Sequence, residues 1–266
     1  MTERPQVMGV VNVTPDSFYP GSRTVDHDAA IARGRALVTQ GCDVVDVGGE
    51  SARPGALDVP LDEELERVVQ VVRVVSDDIE VSIDTQKEAV ARAAVAAGAT
   101  IVNDVSGTLA EVAGELGVGY VAMHRQGGAA TMQISPHYDD VVTEVANALG
   151  ALAERARAAG VTRLWLDPGI GFGKTSEHNW SLLARLDHFV DLARGYDAGV
   201  LVGTSRKRFL GQLGNRELGV DERLEGSIAT AAWALVQGVT MIRVHDVAVA
   251  AQLRDLVARP LHEVAS

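Results

Sequence analysis

Eight short apolar runs recur along the chain, and amphipathic segments of helical length alternate strictly with them. The runs span Val7–Val11, Asp43–Val47, Glu80–Ile83, Thr100–Val102, Tyr120–Met123, Arg163–Leu166, Gly199–Val202 and Thr240–Val244. Strict alternation of strands and helices leaves two parallel-sheet architectures, an open doubly wound sheet and a closed barrel. Eight units of about 33 residues in a chain of 266 favour a (β/α)8 barrel, the α/β fold of TIM-barrel enzymes.

The segments between the runs predict eight helices. They span Asp26–Gln40, Asp62–Val75, Lys87–Ala97, Leu109–Leu116, Asp139–Ala159, His178–Ala193, Leu224–Gln237 and Val247–Ala258. Five of them are followed by a glycine that can adopt the left-handed C-cap conformation, namely Gly41, Gly98, Gly117, Gly160 and Gly238. No linker rich in Ser, Pro or Gly divides the sequence, so we expect one domain over residues 1–266.

Composition narrows the class of partner. Aromatic residues make up only 4% of the chain against 47% hydrophobic residues, which suits a core of Val, Ala, Leu and Ile in a buried parallel sheet. The net charge of -12 argues against nucleic acid as a partner, because nucleic acid is bound by Lys and Arg.

Cys42 is the only cysteine, so we expect a small buried thiol and no disulfide. No apolar run reaches the length of a membrane span, and a cytoplasmic protein is expected.

Every predicted strand ends in a polar or glycine-rich cluster. For any single Asp, Asn, Ser or Gly, turn and N-cap preferences are a sufficient explanation. Turn chemistry does not account for the long cationic side chains at strand ends, which are Arg206, Lys207, Arg243 and His245. Because barrel enzymes build their sites at the carboxyl ends of the strands, one small-molecule site explains the whole set better.

Two groups of these residues suggest two kinds of ligand chemistry. The first group combines donors with one carboxylate and consists of Asn12, Thr14, Asp16, Ser17, Arg243 and His245. It suits a phosphate or diphosphate bound with Mg²⁺, which prefers few protein oxygens and the phosphates of the substrate. The second group, Asp84, Asn103 and Asp167, suits the N–H edge of a planar heterocycle. Lys207 and Arg53 are candidates for a carbonyl or a carboxylate.

Seven motifs in order closely resemble the dihydropteroate synthase family. They are MGVVNVTPDSF, DVGGESARPGA, SIDT, NDVSG, DPGIGFGK, GTSRKRF and RVHDV, and they extend from about Val7 to Asp246. The resemblance implies that the chain joins (7,8-dihydropterin-6-yl)methyl diphosphate to 4-aminobenzoate and releases diphosphate, in folate biosynthesis. It also implies a sulfonamide target, since sulfonamides imitate the aminobenzoate, and a homodimer formed through helices late in the chain.

The resemblance also implies a role for each site residue. Asn12 resembles the Mg²⁺ ligand beside the diphosphate, with Arg243 and His245 holding the leaving group. The residues that resemble the pterin-binding set of the family are Asp84, Asn103, Asp167 and Lys207. Met123 is expected to fill the pocket or the barrel core. The aminobenzoate set comprises Asp16, Ser17, Phe18, Arg53 and Pro54, with Phe172 and Ser205 as pocket walls, and Lys174 is a further candidate for substrate binding. The residues expected to act in the chemical step are Asp16, Asp167, Lys207, Arg243 and His245.

Two positions depart from the family pattern, and two other functions compete with the synthase. The family usually carries Ser or Thr at Ala52, and Pro20 is expected to stiffen the first loop. A corrinoid-linked methyltransferase has a similar pterin-binding barrel but does not need the SRKRF and RVHD segments. A non-catalytic binding protein with this fold is the other alternative.

Overall fold

Eight parallel strands close into one barrel in the order of the sequence, with β8 hydrogen-bonded back to β1. The computed structural model describes residues 4–13, 26–51, 55–128, 130–214 and 216–258. The strands β1 to β8 are Gln6–Asn12, Val44–Gly48, Glu80–Asp84, Ile101–Asp104, Gly119–Met123, Leu164–Asp167, Gly199–Val202 and Met241–Val244. The (β/α)8 prediction is therefore confirmed, and the open sheet is excluded.

Nine α-helices lie in the described part of the chain, one more than the sequence predicts. Helices α1 to α9 are His27–Thr39, Leu61–Val75, Glu88–Ala96, Ala110–Leu116, Val141–Ala158, Ser176–Ala184, Leu186–Gly195, Leu224–Val236 and Val247–Val257. The single helix expected over His178–Ala193 is wrong, because Arg185 interrupts it with non-helical angles of φ -122° and ψ 33°. Two short 3₁₀ turns, Arg208–Gly211 and Val220–Arg223, follow β7. None of the described helices is both long and apolar enough to cross a membrane.

The five predicted helix-ending glycines all have positive φ, from 67° at Gly117 to 120° at Gly98. Gly117 is the left-handed C-cap of α4. At Gly98 a side chain is excluded by space as well, since a Cβ atom there would lie 2.3 Å from the Ser76 hydroxyl oxygen. The glycine pattern thus marked true helix ends, because only glycine adopts this conformation without steric cost.

The inside of the barrel contains an apolar layer, which we call the plug. It consists of the buried residues Met8, Val44, Ile101, Val121, Trp165, Leu201 and Met241. Side chains two residues apart on a strand point to the same face. The inward positions one layer nearer the carboxyl ends of the strands are therefore the polar residues Asp46, Asn103, Asp167 and Arg243, together with Val10, Met123 and Gly203. Polar groups at this end, the mouth, thus stand on an apolar base.

The opposite, N-terminal end of the barrel is closed by paired charges. Arg254 is buried and donates to Asp43 over 2.6 Å, and Arg4 donates to the other oxygen of Asp43 over 2.5 Å. Arg163 donates to Glu80 over 2.7 Å. The first two pairs tie α9 to the starts of β1 and β2, and the third joins the starts of β3 and β6, all below the plug.

Cys42 lies next to this end and matches its expected role. The side chain is buried, and burial raises the pKa of its thiol to about 11. A thiol with such a pKa stays protonated at neutral pH and is a poor nucleophile.

Candidate active site

Two carboxylates hold one guanidinium group in the mouth of the barrel. Nε of Arg243 donates to Oδ2 of Asp46 over 2.6 Å, and Nη2 donates to Oδ2 of Asp84 over 2.8 Å. The amide nitrogen of Asn103 donates to the same oxygen of Asp46 over 3.1 Å. The structure therefore brings together Asp84, Asn103 and Arg243, which the sequence predicts as site residues. Asp46 joins Asn103 to Arg243, and Arg243 in turn joins Asp84.

Asp46 was missed by the sequence analysis. It lies inside β2 and not at its end, its exposed fraction is 0%, and Val44 of the plug is two residues before it. The signal that could have found it is its position, because an acidic residue at an inward position of a buried strand needs a partner. Asp46 lies two residues before the end of β2, so a search limited to strand ends does not include it.

Burial shifts the pKa values of the charged groups in the mouth. It raises the pKa of Asp84 to about 7 against the attraction of Arg243, and the Asp46 charge acts in the same direction as burial. Burial also raises the pKa of Asp167, although Lys207 opposes the shift. The pKa of Lys207 is lowered to about 8 by burial, which outweighs its attraction to Asp167. Groups with such shifts in a cleft mark a functional site, since ordinary ion pairs favour the charged forms.

Lys207 connects the loops that follow β6 and β7. Its ammonium group donates to the carbonyl of Ile170 and lies 4.5 Å from the ring centroid of Phe172, at cation–π distance. At the end of β6, Asp167 accepts a hydrogen bond from the backbone N–H of Gly169 in the following loop over 2.7 Å. Asp167, Phe172 and Lys207, all predicted site residues, thus meet on one side of the mouth.

Lys174 lies beneath this loop, with an exposed fraction of 2%. Its ammonium nitrogen is 3.0 Å from Nδ1 of His124, 3.0 Å from the carbonyl oxygen of Gly169 and 3.1 Å from that of Phe172. Burial lowers the pKa of Lys174 to about 7, and burial together with the Lys174 charge lowers that of His124 to about 3. Nδ1 of a neutral His124 can accept a hydrogen bond from the Lys174 ammonium group. These contacts hold the loop, and direct contact of Lys174 with substrate stays a prediction.

Ser205 and His245 meet at the ends of β7 and β8. The backbone N–H of His245 donates to the Ser205 hydroxyl over 3.1 Å, and its Nδ1 lies 3.0 Å from the same oxygen. Arg206, a strand-end cation, pairs with Asp246 over 2.8 Å, so its charge joins the two loops. A cavity of about 480 Å³ opens beside His245, lined by Arg33, Arg206 and the first residues of α9.

The remaining predicted residues fall into two groups. Asn12 is exposed at the last position of β1, and Met123 is buried at the last position of β5. Eight residues lie outside the described part of the chain: Thr14, Asp16, Ser17, Phe18, Pro20, Ala52, Arg53 and Pro54. The aminobenzoate set therefore stays a prediction apart from the positions of Phe172 and Ser205. Among described residues, no group of three or more His, Cys, Asp or Glu side chains could hold a metal ion.

Comparison with known proteins places this barrel in a family. Residues 8–245 match the model of the pterin binding enzymes. The dihydropteroate synthase of Escherichia coli is 45% identical over 252 residues, which cover 91% of this chain and 87% of the relative. That of Mycobacterium leprae is 44% identical, covering 97% of this chain and 94% of the relative.

Solved structures of the same enzyme share the fold. Yersinia pestis dihydropteroate synthase with a sulfonamide drug complex has a TM-score of 0.87 at 40% identity, covering 97% of this chain and 94% of that chain. The enzyme of Xanthomonas albilineans with 4-aminobenzoic acid has a TM-score of 0.86 at 42% identity, covering 97% and 95%. Neither the corrinoid-linked methyltransferase nor the non-catalytic protein is supported by these similarities. The chain belongs to the pterin-binding enzyme family, among the dihydropteroate synthases, which are transferases of folate biosynthesis.

Proposed function

We propose that the mouth of this barrel binds the pterin ring of (7,8-dihydropterin-6-yl)methyl diphosphate and directs its methylene carbon toward 4-aminobenzoate. The observation that carries the proposal is the hydrogen-bonded group of Asp84, Asn103 and Arg243 above the apolar plug. A planar heterocycle with several N–H groups fits such a site, because its face can pack on apolar side chains while its edge is hydrogen-bonded.

The pterin edge would be held by Asp84, Asn103, Asp167 and Lys207. Carboxylates accept paired N–H donors, and the Lys207 ammonium can donate to the pterin carbonyl. Asp167 has a second role in this proposal. Its negative charge would offset the positive charge that develops on the pterin as the leaving group departs, without any proton transfer.

The leaving group would be held by Asn12, Arg243 and His245. As the carbon–oxygen bond breaks, its electron pair stays on the diphosphate, so fixed positive charge stabilises the transition state where negative charge grows. The amine of aminobenzoate forms the new carbon–nitrogen bond and loses one proton. Asn12 is exposed at the end of β1, and its amide oxygen would suit a Mg²⁺ ion that takes most of its other ligands from phosphate and water. The ion would supply further charge neutralisation.

The aminobenzoate would bind among Phe172, Ser205 and the loops after β1 and β2, which carry Asp16, Ser17, Phe18, Arg53 and Pro54. The structure of the Xanthomonas albilineans relative contains 4-aminobenzoic acid, and that of the Yersinia pestis relative contains a sulfonamide drug. These relatives support an aminobenzoate site here that also binds sulfonamides. Loop closure over the site would keep water from the reactive pterin.

A homodimer through α8 is part of the proposal. Trp233 and Val236 of this helix are exposed by 47% and 66%, although the helix is apolar over much of its surface. Exposed apolar side chains grouped on one helix support an interface between two copies of the chain. Sedimentation of the purified protein tests this, and a monomer at micromolar concentration would contradict it.

Turnover of the purified protein tests the reaction. The protein is incubated with the pterin diphosphate, 4-aminobenzoate and Mg²⁺, and the release of diphosphate is measured. Release that depends on both substrates is expected. Tight pterin binding without any release would overturn the proposal.

The assignment of roles is tested by two variants. His245→Ala removes a leaving-group contact and is expected to lower turnover more than pterin affinity. Asp84→Ala removes a pterin contact and is expected to do the reverse. Equal effects of the two variants on both quantities would contradict the assignment.

A further inference from the structure

Asp46 differs from the other carboxylates of the mouth because no ligand can reach it. Its exposed fraction is 0%, whereas the side chain of Asp84 is 16% exposed. Oδ2 of Asp46 accepts from both Arg243 and Asn103, while Oδ1 has no hydrogen-bond partner in the described part of the chain. Asp46 therefore acts on a bound substrate only through the side chains it holds.

Arg243 is shared between a buried and an accessible carboxylate. Its Nε is bound to Asp46, and its Nη2 is bound to Asp84. The proposed function requires Asp84 to accept paired N–H donors of the pterin with both of its oxygens, so one pterin N–H competes with Nη2 of Arg243 for Oδ2. Because Asp46 is fully buried, no pterin N–H competes with Nε of Arg243 for its carboxylate.

We propose that Asp46 is a positioning residue that retains Nε of Arg243 while Asp84 changes its partner from Arg243 to the pterin. The exchange releases Nη2 of Arg243, which becomes available to the diphosphate. Asp46 keeps the guanidinium group at the mouth during this exchange. This inference rests on the proposed function and adds to it a coupling between the two halves of one substrate.

The coupling is measurable because binding free energies are reciprocal. If the pterin releases Nη2 of Arg243, a pterin without phosphate tightens the binding of inorganic diphosphate with Mg²⁺, and diphosphate tightens the binding of the pterin by the same factor. Titration calorimetry with 6-hydroxymethyl-7,8-dihydropterin and with diphosphate, each alone and then together, gives this factor. We expect about ten-fold tightening in the unchanged protein.

Asp46→Asn tests the positioning residue. The asparagine keeps the size of the side chain but removes the charge that competes with Asp84 for Arg243. The coupling is expected to fall below about two-fold, with diphosphate affinity reduced about ten-fold. In an Arg243→Met background the same Asp46→Asn change is expected to alter diphosphate affinity less than about two-fold, because the residue through which Asp46 acts is gone. Equal effects in both backgrounds would show a merely structural role and overturn the inference.

Two further variants complete the experiment. Asp43→Asn removes the same charge at the N-terminal end of β2, where Asp43 pairs with Arg4 and Arg254, and it is expected to leave the coupling unchanged. Arg243→Lys keeps the charge but cannot hold two carboxylates in the same way, so it tests the coupling independently if Asp46→Asn does not fold. Coupling preserved in Arg243→Lys would overturn the inference. Absence of turnover and of pterin binding in the unchanged protein would instead overturn the proposed function.

Discussion

The two ends of the barrel contain the same kinds of charged group in opposite electrostatic conditions. At the N-terminal end burial opposes the charge of Glu80, but hydrogen bonds from Arg163 and Thr100 outweigh it and lower the pKa of the carboxyl. At the mouth burial prevails, raising the pKa of Asp84 to about 7 and lowering that of Lys207 to about 8. The charged form of the carboxyl group is therefore stabilised at Glu80 and destabilised at Asp84.

This difference separates stability from binding. An ion pair whose hydrogen bonds are satisfied offsets the cost of burying its charges, and removing one partner of a buried pair is destabilising. Groups that must exchange partners with a ligand cannot be fully satisfied without it, so a binding site reduces the stability of its own fold. We therefore expect the ion pairs at the N-terminal end to contribute to stability, whereas the charged groups of the mouth serve ligand binding at some cost in stability.

The comparison is tested most strongly by removing one arginine from each end. Arg243→Met is expected to lower turnover by about 10³-fold, because it removes positive charge where the leaving group becomes negative. Arg254→Met is expected to lower the free energy of unfolding by about 3 kcal/mol, because it breaks a buried pair with Asp43. Urea unfolding and diphosphate release measure the two quantities. The comparison fails if Arg254→Met reduces the turnover of folded protein as much as Arg243→Met does.

The charge of Lys207 provides the second test. Since its pKa is lowered to about 8, the ammonium group loses its proton above that pH, and kcat/KM is expected to fall by up to about ten-fold per pH unit. Lys207→Arg keeps its charge throughout this range, although its different geometry lowers the maximum rate. The alkaline decline is expected to disappear in the variant. A decline at the same pH in both proteins would assign it to another group.

The smallest expected effect is on the melting temperature, whose change with pH is expected to have opposite signs in a variant of Asp84 and a variant of Glu80. The folded pKa of Asp84 is above its usual value, so its contribution to stability is present below about pH 4 and lost as the pH rises to about 7. Asn does not titrate, and the melting temperature of Asp84→Asn relative to the unchanged protein is therefore expected to rise over this range by about 3 °C or more.

Glu80→Gln is the matched control at the N-terminal end. The folded pKa of Glu80 is lowered, so its stabilisation is present above its usual pKa and lost as the pH falls through the folded value. The melting temperature of Glu80→Gln relative to the unchanged protein is expected to fall as the pH rises from about 3 to 5. Slopes of the same sign in the two variants would contradict the contrast between the two ends.

The sequence predicted the barrel and the gathering of polar strand ends in its mouth because both depend on local patterns. Strand periodicity, helix-ending glycines and polar strand ends are readable within a few residues, and they placed Asp84, Asn103, Asp167 and Arg243 at one end of the barrel. The bond between Arg243 and Asp46 joins residues 197 positions apart, so it depends on strand register and closure. The break at Arg185 was equally hidden, since no proline or glycine marks it.

The apolar plug has a practical consequence for protein engineering. Because it separates the mouth from the N-terminal end, the charged groups at the two ends share no polar partner among the described residues, and the effects of their substitution on folding free energy should add. Heat resistance could then be increased by optimising the ion pairs around Asp43 and Glu80, while substrate range is altered around Phe172 and Ser205. The barrel therefore offers a scaffold in which these two properties can be selected in separate libraries and combined afterwards.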